Sequence, residues 1–587
     1  MKWLNTKKTV YLIVLMALAI RLFGLNFDQG QHLHPDERFL TIVVSTIHLP
    51  SNLTDYFSQD HSPLNPYNHG FNFYVYGNFP LLITRLIAEA VHWVDYDHIF
   101  MVGRVLSAGF DSLTVLVVYH LAQLIFKNKR IPICSAFFYA LAVLPIQQAH
   151  FFTVDSFTVF FATLTLFLTI RYLRFKRTSD LILGGFAFGL TLANKTSLVI
   201  ALPVLGTVLL FLPLKNFARE LSKRFFSLSL FIICCLLAFR LFQPYAFDGL
   251  FSLSSHFVGN INQIRQMTTG EIDYPPNLQW AYTLPFLHPL VNIFLWGLGP
   301  MLALLAFGGM IIAVLKEKYR KDPSIIILLV YILIIFLYQG VQLAKYLRYF
   351  YPIYPVLAVF AGFSAVWMIE LTVKKRPQLG QLINLLIVVT VAIWPIAFLA
   401  IYNRPHSRVT ASEWIYQNIP AGSRLTSEIW DDSLPLRLQK YQDITYENIP
   451  LALYDVESNA KWKTIVSQLN TADYIILSSN RLYGSIPKMP QRYPVGALFY
   501  QLLFAEKLGF KKVAEISSYP SLFGLPVRDE SAEESFTVYD HPTVVIFRKT
   551  NFDSSLLQPL LNQNLINSAH YINPASTTIL SLPKIRL

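Results

Sequence analysis

Residues 155–195 read DSFTVFFATLTLFLTIRYLRFKRTSDLILGGFAFGLTLANK. Two apolar runs flank the basic cluster Arg171, Arg174, Lys176 and Arg177, and each ends away from that cluster at a polar tip, Asp155 or Asn194-Lys195. A helix needs roughly 20 predominantly apolar residues to cross a bilayer. Short loops rich in Lys and Arg stay in the cytoplasm. This stretch therefore predicts two spans joined on the cytoplasmic side, with both tips on the opposite face.

The pattern repeats along the chain. Basic clusters occur at Lys2/Lys7/Lys8, Lys127/Lys129/Arg130, Arg171–Arg177, Lys215/Arg219/Lys223/Arg224, Lys316/Lys318/Arg320/Lys321 and Lys374/Lys375/Arg376. If all six lie on one side, an even number of crossings separates each neighbouring pair, and every interval has room for two. The turns fall in a first loop at about 28–100, then at 145–155, at 194–195, in a polar loop at 244–290, and at 345–351. A last span at 380–401 brings the total to about eleven, with the N-terminus cytoplasmic and the C-terminus extracytoplasmic.

Composition agrees with a membrane solvent. The chain is 54% hydrophobic and only 14% charged. A soluble chain of 587 residues is far more polar. The net charge of +13 resides in the loop clusters, which excludes a continuous basic groove for nucleic acid. The cysteines, Cys134, Cys234 and Cys235, all lie in apolar stretches, so disulfides cannot support the soluble part. The run after Lys7-Lys8 has no small-residue cleavage site behind it and reads as a retained signal anchor.

Residues 402–587 alternate helix-like stretches (411–418, 495–508) with strand-like ones (474–478, 543–547), the pattern of an α/β domain. The expected organisation is a transmembrane domain at 1–401 and an extracytoplasmic α/β domain at 402–587. That second domain contains nothing the membrane chemistry requires, so its removal after about residue 405 should alter acceptor choice or stability more than carrier binding.

With this topology, the polar interruptions that are not basic clusters gather on the outer face. They are His34, Asp36 and Glu37 in the first loop, Arg104 at the start of the second span, Asp155, Lys195, and Lys345 with Arg348. A carboxylate at an apolar boundary can serve as a general base, and cations at the same level can hold an anionic headgroup and stabilise a departing phosphate. Solvated loop carboxylates and snorkelling or interfacial cations are the plainer readings of the same residues. Residues 71–93, which include YGNFP at 76–80, could form an interfacial helix.

These features resemble the multi-span glycosyltransferases that use polyprenyl-phosphate sugars: the protein O-mannosyltransferases of glycosyltransferase family 39 and the bacterial aminoarabinose transferases. They share the GT-C membrane fold. The likeness rests on Asp36-Glu37, on VGRVLSA at 102–108, FTVD at 152–155, GLTLANK at 189–195 and RYFYPIYP at 348–355, and it spans about residues 10–400. It implies that Asp36 is the catalytic base or acceptor ligand with Glu37 as its partner. Asp155 matches an acidic residue of the second loop, and Lys195 a lysine near the carrier phosphate. It also implies an inverting, mannosyltransferase-like hexosyl transfer from a polyprenyl-phosphate sugar, in the manner of protein glycosylation, at the cell membrane and in contact with its lipids. Two departures limit it. Gly77-Asn78-Phe79-Pro80 lacks the lysine that aminoarabinose transferases place before that proline, and the sugar-binding-like module inserted in protein mannosyltransferases is missing, so the mannose donor and the protein acceptor are not carried over and the donor sugar is left open.

The acceptor (protein, lipid or glycan) is left open. So is the metal: a divalent ion could add charge, but no cluster of ligand spacing demands one. The rivals are a secondary transporter, disfavoured by the large first loop and by the lack of strong mid-membrane charge, and a non-catalytic assembly protein, for which two spans would suffice.

Overall fold

The computed structural model describes residues 6–204, 217–250, 252–373, 376–550 and 552–578. Lys2, Lys215, Lys374 and Lys375 of the basic clusters, and most of the return span after Lys195, lie outside those residues.

The chain opens with α1 (Thr6–Leu22), α2 (Pro35–Thr46), α3 (Asn78–Ala90) and α4 (Tyr96–Ile125). There follow α5 (Arg130–Ala140), α6 (Val143–Ala149), α7 (Asp155–Phe175), α8 (Thr178–Asn194) and α9 (Phe217–Phe242). The later bundle comprises α10 (Pro300–Leu315), α11 (Pro323–Val341), α12 (Tyr354–Val373) and α13 (Pro377–Leu399). Among the described residues, six helices are long and apolar enough to cross a membrane, and α5 with α6 makes a seventh if that pair, bent by 53°, is one span. The protein is thus a multi-pass membrane protein. Long helices such as α9 and α13 leave Leu236, Leu237, Leu385 and Ile396 exposed. Such faces are stable against lipid, where every helical backbone group is already satisfied internally.

The bundle is not free of inner charge. Asp111, midway along α4, accepts hydrogen bonds from Arg21, Tyr139 and Tyr351, all buried. The sequence reading found no strong charge at mid-membrane, and the structure corrects it. An ionised group at that depth is tolerated only with partners, and here four helical segments converge on one carboxylate.

Local sequence sets the elements at the polar end. Pro35 opens α2 after His34, whose Nδ1 accepts from the Asp36 N–H at 3.2 Å. Asp36 and Glu37 thus occupy the first turn, where the helix dipole favours negative charge. Helix α3 starts at Asn78, behind Gly77. A Cβ on Gly77 would lie 1.8 Å from the Ala193 carbonyl oxygen, so the missing side chain lets the first loop sit directly on the end of α8.

After α13 come α14 (Ser407–Asn418) and a five-stranded sheet of β1 (Arg424–Glu428), β2 (Glu447–Leu451), β3 (Tyr474–Leu477), β4 (Phe510–Ile516) and β5 (Val544–Lys549). Its order is β2-β1-β3-β5-β4, with β1 parallel to β2 and β3, and β5 antiparallel to β3 and β4. The strands expected at 474–478 and 543–547 are both present. This part does not stand clear of the bundle. Its residues 529–541 reach the helices: Gln147 donates to the Phe536 carbonyl at 2.7 Å and to Asp540 at 2.9 Å, Tyr402 donates to Asp540 at 3.0 Å, and Phe536 packs on Phe398.

Candidate active site

Two neighbouring residues of α2 face different cations. Glu37 is fully buried and binds Arg104 with both oxygens, at 2.6 and 3.1 Å. The same guanidinium takes Asp28 at 2.9 and 2.8 Å and donates to the Leu25 carbonyl, while Phe27 and Phe100 lie against it at 5.2 and 4.8 Å. Burial, opposed by Arg104 and reinforced by nearby Asp28, lifts the Glu37 carboxyl to about 7. Every donor of Arg104 is spent on this clamp, and the pair has no exposed surface. Expected at the carrier phosphate, Arg104 instead ties α4 to the start of the first loop, and Glu37 belongs to that tie.

Asp36 points the other way. It is bound by Arg348, from the 3₁₀ turn Leu347–Ile353, and accepts from the Tyr76 hydroxyl. Burial would raise its carboxyl, but Arg348 outweighs that and holds it down at about 2. Beside this pair, Lys195 binds Asp155 at 2.7 Å. Helix α8 ends one residue earlier, and Lys195 is extended at φ −150°, which frees its side chain from the helical face. Tyr349 joins the two pairs, its ring 4.7 Å from the Lys195 nitrogen and 5.8 Å from the Arg348 guanidinium carbon. Side-chain exposure separates these pairs from the clamp: 12% and 21% for Arg348 and Asp36, 24% and 6% for Lys195 and Asp155, against zero for Arg104 and Glu37. A ligand can reach the first two pairs and not the third.

His34 closes one side, its ring 4.7 Å from Phe151 and 4.3 Å from Tyr539. Burial drives its pKa down to about 4, so it is neutral at pH 7. With Nδ1 accepting from Asp36 N–H, the proton sits on Nε2, which is buried and has no hydrogen-bond partner among the described residues. Lys345 does not join the group. It is fully buried and donates to the Leu343 carbonyl and to Thr283 at 3.2 and 3.4 Å. The structure therefore brings together Asp36, Arg348, Asp155, Lys195 and His34. Sequence reasoning missed Asp28, Tyr76, Tyr349 and Tyr539. Tyr76 and Tyr349 lie within motifs already singled out, YGNFP and RYFYPIYP, whereas Tyr539 lies in a part of the chain to which no chemistry was assigned.

Residues 89–242 match the family described as dolichyl-phosphate-mannose-protein mannosyltransferase. No curated protein matches the chain by sequence. Among solved structures, the oligosaccharyltransferase of Archaeoglobus fulgidus in its apo form is 14% identical over 90% of this chain and 76% of its own, with a TM-score of 0.50. Its complex with Zn and sulfate gives the same score over 89% and 74%. ArnT from Cupriavidus metallidurans bound to undecaprenyl phosphate is a looser likeness, 13% identical over 92% and 98%, with a TM-score of 0.44. The fold is that of the GT-C membrane glycosyltransferases.

Proposed function

We propose that this GT-C protein transfers a sugar from a polyprenyl monophosphate carrier to a hydroxyl of an acceptor on the extracytoplasmic face, with inversion. One observation carries the reading: two partly open carboxylate–cation pairs, Asp36–Arg348 and Asp155–Lys195, share the Tyr349 ring at the bundle's polar end. The match of residues 89–242 to a family named for a dolichyl-phosphate sugar donor supports the class of carrier.

The pairs give the reaction an order. With Arg348 on Asp36, that carboxyl stays near 2 and is a poor base. The arriving donor phosphodiester competes for Arg348 and Lys195, because its two non-bridging oxygens offer each cation an anionic partner comparable to a carboxylate oxygen. Asp36 then loses its counter-charge and gains basicity. The acceptor oxygen attacks the anomeric carbon opposite the phosphate, the bond from that carbon to the phosphate oxygen breaks, and the acceptor proton passes to Asp36. The phosphate leaves as a carrier monoester, its added charge met by Arg348 and Lys195. Asp28, Glu37 and Arg104 hold the loop and touch no substrate.

The test is incorporation of label from polyprenyl-phosphate mannose and other polyprenyl-phosphate hexoses into acceptor-containing membranes, with binding of the bare polyprenyl monophosphate measured separately. Lys195→Ala should weaken both binding and turnover, since a cation on the phosphate acts in ground and transition states alike. Unchanged carrier affinity in that variant would remove the phosphate from this site.

A further inference from the structure

The turn that presents Arg348 is not capped by its own sequence. Tyr346 precedes Leu347–Ile353 and makes no side-chain cap hydrogen bond, although the first N–H groups of a helical turn need partners from outside it. The Leu347 N–H donates at 2.6 Å to Oε2 of Glu533, a residue 186 positions later in the chain.

Glu533 is fixed on every side that matters. Its other oxygen accepts from Ser535 Oγ at 2.5 Å, its own N–H donates to Asn292 Oδ1 at 2.8 Å, and it is 4% exposed. Asn292 lies between the polar loop and α10, so the segment is pinned to the membrane bundle as well as to the Arg348 turn. The next residue, Glu534, binds Arg481 at 2.7 Å, which ties the segment back to the sheet. A few residues on, Tyr539 lies against His34. The segment thus meets the site from two sides, at the backbone beside Arg348 and at the cap of the helix bearing Asp36.

We propose that Glu533 is a positioning residue for Arg348: by taking the Leu347 N–H it sets the backbone from which the guanidinium reaches Asp36 and, in turn, the carrier phosphate. This makes the C-terminal part a component of the catalytic apparatus. It rests on the reading of Arg348 given above, and the experiment separates the two.

Single-turnover transfer is measured in the full-length protein for Glu533→Ala, Glu533→Gln, Arg348→Ala and the double variant Glu533→Ala/Arg348→Ala. Thermal unfolding is followed in each. Glu533→Ala should lower transfer about tenfold or more, because small displacements of a charged group are costly to the chemical step. Glu533→Gln keeps an oxygen for the Leu347 N–H and should recover most of that loss. In the Arg348→Ala background, Glu533→Ala should cost nothing further, since residues that act through one another are not additive. An equal loss with and without Arg348 would show that Glu533 merely supports the fold and would overturn the proposal, as would Glu533→Ala turning over at the parent rate. If Glu533→Ala fails to fold, the glutamine variant decides: activity well below the parent in a folded Glu533→Gln protein contradicts a role that needs only an acceptor. If Arg348→Ala itself transfers at the parent rate, the functional reading falls and takes this one with it.

Discussion

Asp36 and Glu37 are adjacent and chemically alike, yet they meet different cations at different depths. For Asp36→Asn we expect a folded protein that binds the carrier and loses transfer by about 10²-fold or more, as removal of a general base predicts. Near-parent single-turnover rates in that variant would exclude the role. Breaking the clamp should act on stability: Arg104→Ala leaves two buried carboxylates without a counter-charge and should cost about 3–5 kcal/mol, read as a fall in unfolding temperature whether or not substrate is present. The pH dependence follows from Arg348. Asp36 falls from an ordinary 3.8 to about 2 in the folded protein. A lowered carboxyl stabilises the fold above its unfolded pKa, and that contribution is lost as pH drops from about 4 to 2. The same pairing places the acid limb of kcat/KM for donor below pH 4. Once the carrier draws Arg348 away, the acid limb of kcat should lie higher, and coincident limbs would deny the exchange. From sequence, the Asp-Glu pair and the opposing cations were legible as residue types at one membrane level. The partners were not, because pairing depends on side-chain reach between segments from 40 to 312 residues apart.

At the scale of elements, the site depends on close contact between the first loop and the end of α8. Gly77 makes that contact possible, since a Cβ there would meet the Ala193 carbonyl and the Asn194 backbone. Gly77→Ala should push α3 and Tyr76 off the Lys195 turn, lowering both carrier affinity and thermal stability, whereas Gly70→Ala meets no neighbouring atom and is strained only by its φ of +85°. Equal effects of the two substitutions would mean that the contact is unimportant. Hydropathy and basic clusters made a multi-span bundle readable, although six or seven spans stand out among the described residues against the eleven expected, and alternation marked the strands near 474 and 543. The bend between α5 and α6, the 3₁₀ turn under Arg348 and the descent of residues 529–541 carry no periodic signature. Long-range packing imposes them, so local pattern is silent about each.

For the whole molecule, the expectation that residues beyond about 405 are dispensable for carrier binding gives way to the opposite prediction. Deleting them removes Glu533, Tyr539 and the covering of Gln147 and Tyr402, and should abolish carrier binding as well as transfer in titrations with polyprenyl monophosphate. Retained binding in the truncated protein would return the soluble part to an accessory role. The proposed orientation is tested independently: a reporter fused after residue 405 should be active only outside the cytoplasm.

The late position of residues 529–541 also bears on biogenesis. Helices enter the bilayer in the order in which the ribosome makes them, so the spanning helices among α1–α13 can be inserted and packed while the stretch that braces Arg348 is still unsynthesised. A nascent chain would then carry all the membrane helices described above and yet hold its reactive groups in an unfinished arrangement. Competence would arrive in one late step, when the last strand and its preceding loop fold back onto the bundle.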